Sequence, residues 1–128
     1  MDQIATIIVV DDDQSVRESL PELIQECGYQ SRSYASAEEY LSSADVLGTS
    51  CLILDMAMPR MSGWELQRML RRVNFTPPII FITATQNDAI RQAVIEEGAV
   101  ACLMKPFHDR ELLEAIGLAL GMSGRRNA

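Results

Sequence analysis

Several short stretches of the chain are apolar without alternation: Thr6-Ile7-Ile8-Val9-Val10, Cys51-Leu52-Ile53-Leu54, Pro78-Ile79-Ile80-Phe81-Ile82 and the shorter Ala101-Cys102-Leu103-Met104. Most of these residues are β-branched or otherwise apolar, so each run reads as a strand with two apolar faces. Such strands belong in a parallel sheet covered by helices on both sides. Gln30-Ser31-Arg32-Ser33-Tyr34 reads as a further strand. It is polar, which assigns it to a sheet edge, where one side meets water.

Helical periods fill the intervals. Val16, Leu20, Leu23, Ile24 and Cys27 share one helix face, ended by Gly28. Leu66, Met69, Leu70 and Val73 form a second stripe. Ile90, Ala93 and Val94 precede Gly98, and Leu112, Ile116, Ala119 and Leu120 form the last. A short helix follows Ser36, with Glu39 three residues on as a capping box. Pro21 falls inside the first helix, where it removes a hydrogen bond and can cost about 3 kcal/mol. The stripe continues on both sides of it, so the expectation is a bent helix rather than two. Strand and helix thus alternate along the chain. Right-handed crossovers then give an α/β fold with an open, doubly wound, five-stranded parallel sheet. We see no repeat, linker or low-complexity segment. The expected organisation is one domain over residues 1–121 and a frayed tail over 122–128.

Composition narrows the function classes. A chain of 128 residues, 48% hydrophobic and 23% charged, suits one globular domain. Its formal net charge is −7, from 11 basic and 18 acidic residues. Nucleic-acid binding needs clustered Lys and Arg, so direct binding by this domain is not expected. No apolar run reaches the roughly 20 residues of a membrane span. The start Met1-Asp2-Gln3 lacks the pattern of a secretory signal. Cys27, Cys51 and Cys102 show no metal-ligand spacing and read as reduced thiols packed in the core of a cytoplasmic protein.

The chemistry is concentrated at strand ends. Ligands of open α/β sheets bind beyond the carboxyl ends of the strands. Here the first strand runs into Asp11-Asp12-Asp13, the third into Asp55, the fourth into Thr83 and the fifth into Lys105. Close carboxylates repel one another unless a cation sits between them, and oxygen donors at a shallow crevice suit Mg²⁺. A carboxylate beside Mg²⁺ can attack phosphorus and form an aspartyl phosphate. The metal and a nearby lysine would neutralise the transferring phosphoryl group, and a threonine hydroxyl could bond to it. Lys105 is the only lysine among the 11 basic residues, so composition alone would place it there only about one time in eleven. The plainer readings are that the aspartates cap helices, as Asp13 or Ser15 is expected to do, that Thr83 is an ordinary strand-end residue and that Lys105 is a solvated charge. Their joint coincidence is far less plausible than any one of them.

Ile8-Val9-Val10-Asp11-Asp12, Leu54-Asp55-Met56-Ala57-Met58-Pro59-Arg60-Met61-Ser62-Gly63, Phe81-Ile82-Thr83-Ala84 and Lys105-Pro106-Phe107 together resemble the receiver domains of two-component response regulators. The likeness covers residue 4 to about 120. The Met-Pro-x-Met-Ser-Gly wording and the Gly98-Ala99-Val100-Ala101 turn are most similar to FixJ-type receivers. The resemblance implies a flavodoxin-like (βα)5 fold with strand order 2-1-3-4-5. It implies that Asp55 accepts a phosphoryl group from a sensor histidine kinase. It implies that Asp12, Asp55 and the backbone carbonyl of Ala57 bind Mg²⁺ directly, and that Asp11 acts through water. Thr83 would move to the phosphoryl group, Lys105 would pair with it, and the Lys105-Pro106 peptide would be cis. His108, the only histidine, reads as a loop residue rather than a donor. Such a domain catalyses only its own phosphorylation and dephosphorylation, so it is not classed as an enzyme.

Two departures bear on function. Cys102 stands where the family usually carries Tyr or Phe, so the usual ring motion is unavailable. Either the face formed by residues 87–120 switches in another way, or coupling is weak. Ala57 and Thr85 occupy positions that tune dephosphorylation in the family. The alternatives are a phosphorylation-independent protein-interaction module with the same fold, and a flavin or small-ligand binder. The latter would want a Gly/Ser/Thr-rich phosphate loop where this chain has three aspartates. A homodimer on phosphorylation and a downstream effector domain or protein are further implied partners. The chain reads as either a stand-alone receiver or part of a longer regulator.

Overall fold

The structure, a computed structural model, describes residues 4–84 and 87–125, with side chains as far as residue 121. Strands and helices alternate as β1 (Thr6–Val10), α1 (Gln14–Glu26), β2 (Gln30–Tyr34), α2 (Ala37–Leu41), β3 (Cys51–Asp55), α3 (Gly63–Arg72), β4 (Ile79–Thr83), α4 (Asp88–Glu96), β5 (Ala101–Met104) and α5 (Asp109–Arg125). All pairings are parallel and the strand order is β2-β1-β3-β4-β5. The polar strand β2 takes an edge, as its composition required.

Because side chains alternate along a strand, the uninterrupted apolar runs divide between two cores. Ile8, Val10, Leu52, Leu54 and Phe81 face α2, α3 and α4, packing with Tyr40, Leu66, Leu70 and Val94. Ile7, Val9, Ile53, Ile80 and Ile82 face α1 and α5, packing with Leu20, Ile24, Leu112 and Ile116. The two-sided burial explains why these strands carry no polar alternation.

Helix α1 passes through Pro21 without a break. Proline removes the donor that would bond the carbonyl four residues earlier, that of Arg17. The Ser33 hydroxyl of β2 takes that place, donating to the Arg17 carbonyl at 3.3 Å. Asp13 caps α1, accepting from the Ser15 amide at 2.9 Å. Ser62 and Glu65 form a full capping box on α3. On α2 only half of the expected box exists: Ser36 accepts from the Glu39 amide, but Glu39 reaches back to Ala35 instead of Ser36.

Some expectations fail on packing. Cys27 is exposed, whereas Cys51 and Cys102 are buried. Met69 and Val73 are exposed, at 37% and 67%, and the buried face of α3 is instead Gly63, Leu66, Gln67 and Leu70. Helix α5 continues past Gly121 to Arg125, where a frayed tail was expected; residues 126–128 lie outside the described part, as does Thr85.

Candidate functional site

The carboxyl ends of β1, β3, β4 and β5 bring together Asp11, Asp12, Asp55, Thr83 and Lys105. Asp11 is fully buried. Its Oδ1 accepts the Asp13 amide at 2.9 Å, an Asx turn that folds the acidic loop back on itself. Its Oδ2 accepts from Lys105 Nζ at 3.0 Å. Asp55 ends β3 at 6% exposure, with Oδ1 3.8 Å from Lys105 Nζ. Asp12 is exposed at the mouth. Each of the three aspartates offers an oxygen within 4.8 Å of the others'. Thr83 ends β4 at 2% exposure, and its carbonyl accepts the Lys105 amide at 2.8 Å. The Lys105-Pro106 peptide is cis. Ala57 is exposed beside the cluster, and His108 is exposed in the loop before α5.

The electrostatics follow from this crowding. Burial, and then the Asp11 charge, push the Asp55 carboxyl up from its ordinary 3.8 to about 7, against the pull of Lys105 and the Ala57 amide. Burial works against the Lys105 charge, but its hydrogen bond to Asp11 and the charges of Asp55 and Asp11 raise its pKa overall. One ammonium therefore reaches two of the three carboxylates, Asp11 and Asp55, and leaves the cluster short of positive charge. Hard oxygen donors at this spacing fit a divalent cation of the Mg²⁺ type.

Residues given no role in the sequence reading hold the site in place. Arg17 of α1 donates to the Asp11 carbonyl at 3.0 Å, fixing the exit of β1. Gly63 opens α3 directly against the end of β3: a Cβ there would collide with the Asp55 carbonyl oxygen and press on Phe81. The Gly63 amide in turn bonds the Met56 carbonyl at 3.1 Å. Next to it, Trp64 Nε1 donates to Glu97 Oε2 at 2.9 Å, and Arg68 grips both Glu97 oxygens at 3.1 Å while lying 4.5 Å from the Trp64 ring centre. An arginine on an amphipathic helix reads as solvated in a sequence, so these contacts carried no signal there. At the position of the missing aromatic, Cys102 is buried and its carbonyl accepts from Arg91 Nη2 at 3.3 Å.

Residues 7–117 match the family model for the response regulator receiver domain. The response regulator protein TmoT of Ectopseudomonas mendocina is 38% identical over 122 residues, covering 95% of this chain and 56% of that protein. Nodulation protein W of Bradyrhizobium diazoefficiens is 40% identical over 122 residues, covering 95% of this chain and 54% of that protein. The crystal structure of FixJ-N superposes with a TM-score of 0.82 at 34% identity, over 94% of this chain and 96% of that one. The chain belongs to the response regulator receiver family, and it is a receiver domain of two-component signalling. Within that family it is similar to FixJ. It spans about half the length of these curated relatives. Among the described residues, no helix is long and apolar enough to cross a membrane.

Proposed function

We propose that Asp55 is the phosphoacceptor of a Mg²⁺-dependent switch, with a phosphohistidine of a sensor kinase as donor. The observation that carries this is the shared position of Lys105 Nζ, 3.0 Å from Asp11 and 3.8 Å from Asp55, inside the three-aspartate cluster. A cation held by Asp12, Asp55 and the Ala57 carbonyl, with Asp11 acting through water, would offset charge on the phosphoryl oxygens. An Asp55 carboxylate oxygen forms the new bond to phosphorus as the P–N bond of the donor breaks. The bonding pair leaves with the imidazole, which is then protonated. Lys105 is free to turn from Asp11 toward the phosphoryl group on its flexible stem. Thr83, at the end of the neighbouring strand, supplies a hydroxyl. The domain turns over no separate substrate, so it acts as a signalling switch and not as an enzyme. Its free thiols suit a reducing cytoplasm. Dimerisation and an effector partner belong to the same reading.

Acetyl phosphate and Mg²⁺ test it, with intact mass read for the native chain and for Asp55→Asn. A gain of one phosphoryl group by the native chain alone, abolished by prior chelation, is the expected result. Cys102 favours a second reading, a receiver used for protein interaction without phosphorylation. No gain in either protein, with a kinase as well as with acetyl phosphate, would establish that one.

A further inference from the structure

At the other end of the sheet from the aspartates, where β4 and β5 begin, lies a cavity of about 190 Å³. Leu70, Phe75, Pro78, Ile79 and Val100 give it apolar walls. Gln67 of α3 also lines it. This side chain is 3% exposed, and its Oε1 is buried with no hydrogen-bond partner. Leu66 and Leu70 beside it show what the same helix face carries where only packing is at stake. An unpaired buried acceptor costs stability, and a leucine of similar shape would not. Charge is already used up at the rim. Arg71 Nη1 bonds the Glu97 carbonyl at 3.3 Å, and the Glu97 carboxylate is taken by Trp64 and Arg68. The cavity therefore offers apolar walls, a neutral acceptor and room for a ring, since a dry cavity of about 150 Å³ already admits benzene.

We propose that this cavity is a ligand site for a small neutral molecule with a compact apolar ring and one hydrogen-bond donor, phenol being the simplest probe. The donor bonds the Gln67 carboxamide, whose terminal torsion is soft enough to turn its oxygen toward the ring substituent. Glu97 lines the cavity and holds Trp64 Nε1, so filling the cavity perturbs Trp64 emission.

The test is a titration of the full chain with phenol and with benzene, following Trp64 fluorescence and, independently, the melting temperature. Saturable binding of phenol about 3- to 10-fold tighter than benzene is expected, the factor one hydrogen bond supplies. Gln67→Leu keeps the fold, as phosphorylation by acetyl phosphate verifies at the far end of the sheet, and it removes the preference for phenol. Thr76→Phe, at the exposed rim, weakens both ligands. No saturable response to phenol overturns the proposal and leaves a cavity filled by water. A preference that survives Gln67→Leu, or binding indifferent to Thr76→Phe, overturns it equally by placing the ligand elsewhere.

Discussion

Lys105 Nζ donates a 3.0 Å hydrogen bond to Asp11 Oδ2, joining residues 94 positions apart, and lies farther from Asp55. The lysine is thus committed to the fully buried carboxylate before any phosphoryl group arrives. Lys105→Ala leaves the Asp11 carboxylate without its one cationic side-chain partner among the described residues. Leaving a buried acceptor unpaired costs about 1–3 kcal/mol, and the partial exposure of Lys105 favours the lower half of that range. The urea midpoint measured without divalent cations should fall accordingly, and saturating Mg²⁺ should recover part of the loss. Metal binding itself should persist, since the oxygen donors are untouched. An unchanged midpoint would show that the ion pair contributes nothing to the fold.

Gly63 and Gly117 make a matched pair of alanine substitutions. A Cβ at Gly63 strikes the Asp55 carbonyl oxygen, and backbone cannot step aside as a flexible side chain would. Gly63→Ala should cost about 1–3 kcal/mol and slow phosphorylation by displacing β3 and its Asp55 from α3. Gly117, in α5, has nothing within 4 Å of its would-be Cβ. Gly117→Ala should stabilise by about 0.5–1 kcal/mol through helix propensity and leave phosphorylation alone. Thermal melts and acetyl phosphate kinetics on both variants check the contrast. Equal behaviour would remove the positioning role of Gly63.

Acid should unlock Trp64. Hydrogen bonding from Arg68, and then from Trp64, outweighs burial and holds the Glu97 carboxyl below its ordinary 4.5. A lowered folded-state pKa means that the carboxylate binds protons more weakly in the folded chain. Its contribution is therefore present above about pH 4.5 and lost as pH falls through the folded value. The indole N–H resonance of Trp64, or its emission, should shift in that window. Glu97→Gln should lack the transition. The stability change should be small, because Arg68 is more than half exposed and solvent screens its pairing with Glu97. A transition of the same size in Glu97→Gln would assign it to another group.

The thiols should react in order of exposure and acidity. Cys27 is exposed, whereas burial pushes the Cys51 thiol up to about 12 and raises that of Cys102, the latter partly offset by Arg91. The thiolate is the reactive form. Iodoacetamide at neutral pH should therefore modify Cys27 first, Cys102 slowly and Cys51 only on unfolding. Peptide mass mapping against time reads the order. Early labelling of Cys51 would mean that β3 opens locally.

By itself the sequence determined the strands, their parallel pairing and the cluster at their carboxyl ends. Those signals are local or follow from general rules. An apolar run such as Ile79–Ile82 announces burial on both faces, and a parallel sheet gathers Asp11, Asp55, Thr83 and Lys105 at one edge once each is known to end a strand. Tertiary structure alone decided which partner each group took. A helical period defines a stripe but not how much of it a neighbour covers, which is why Met69 and Val73 lie exposed while Gln67 is buried. Only packing gave the Arg17 carbonyl freed by Pro21 to Ser33, turned Trp64 toward Glu97 and left one end of the sheet with a cavity beside the unpaired Gln67 Oε1. Such contacts join residues far apart in the chain through side-chain geometry, and no short window of sequence contains both partners.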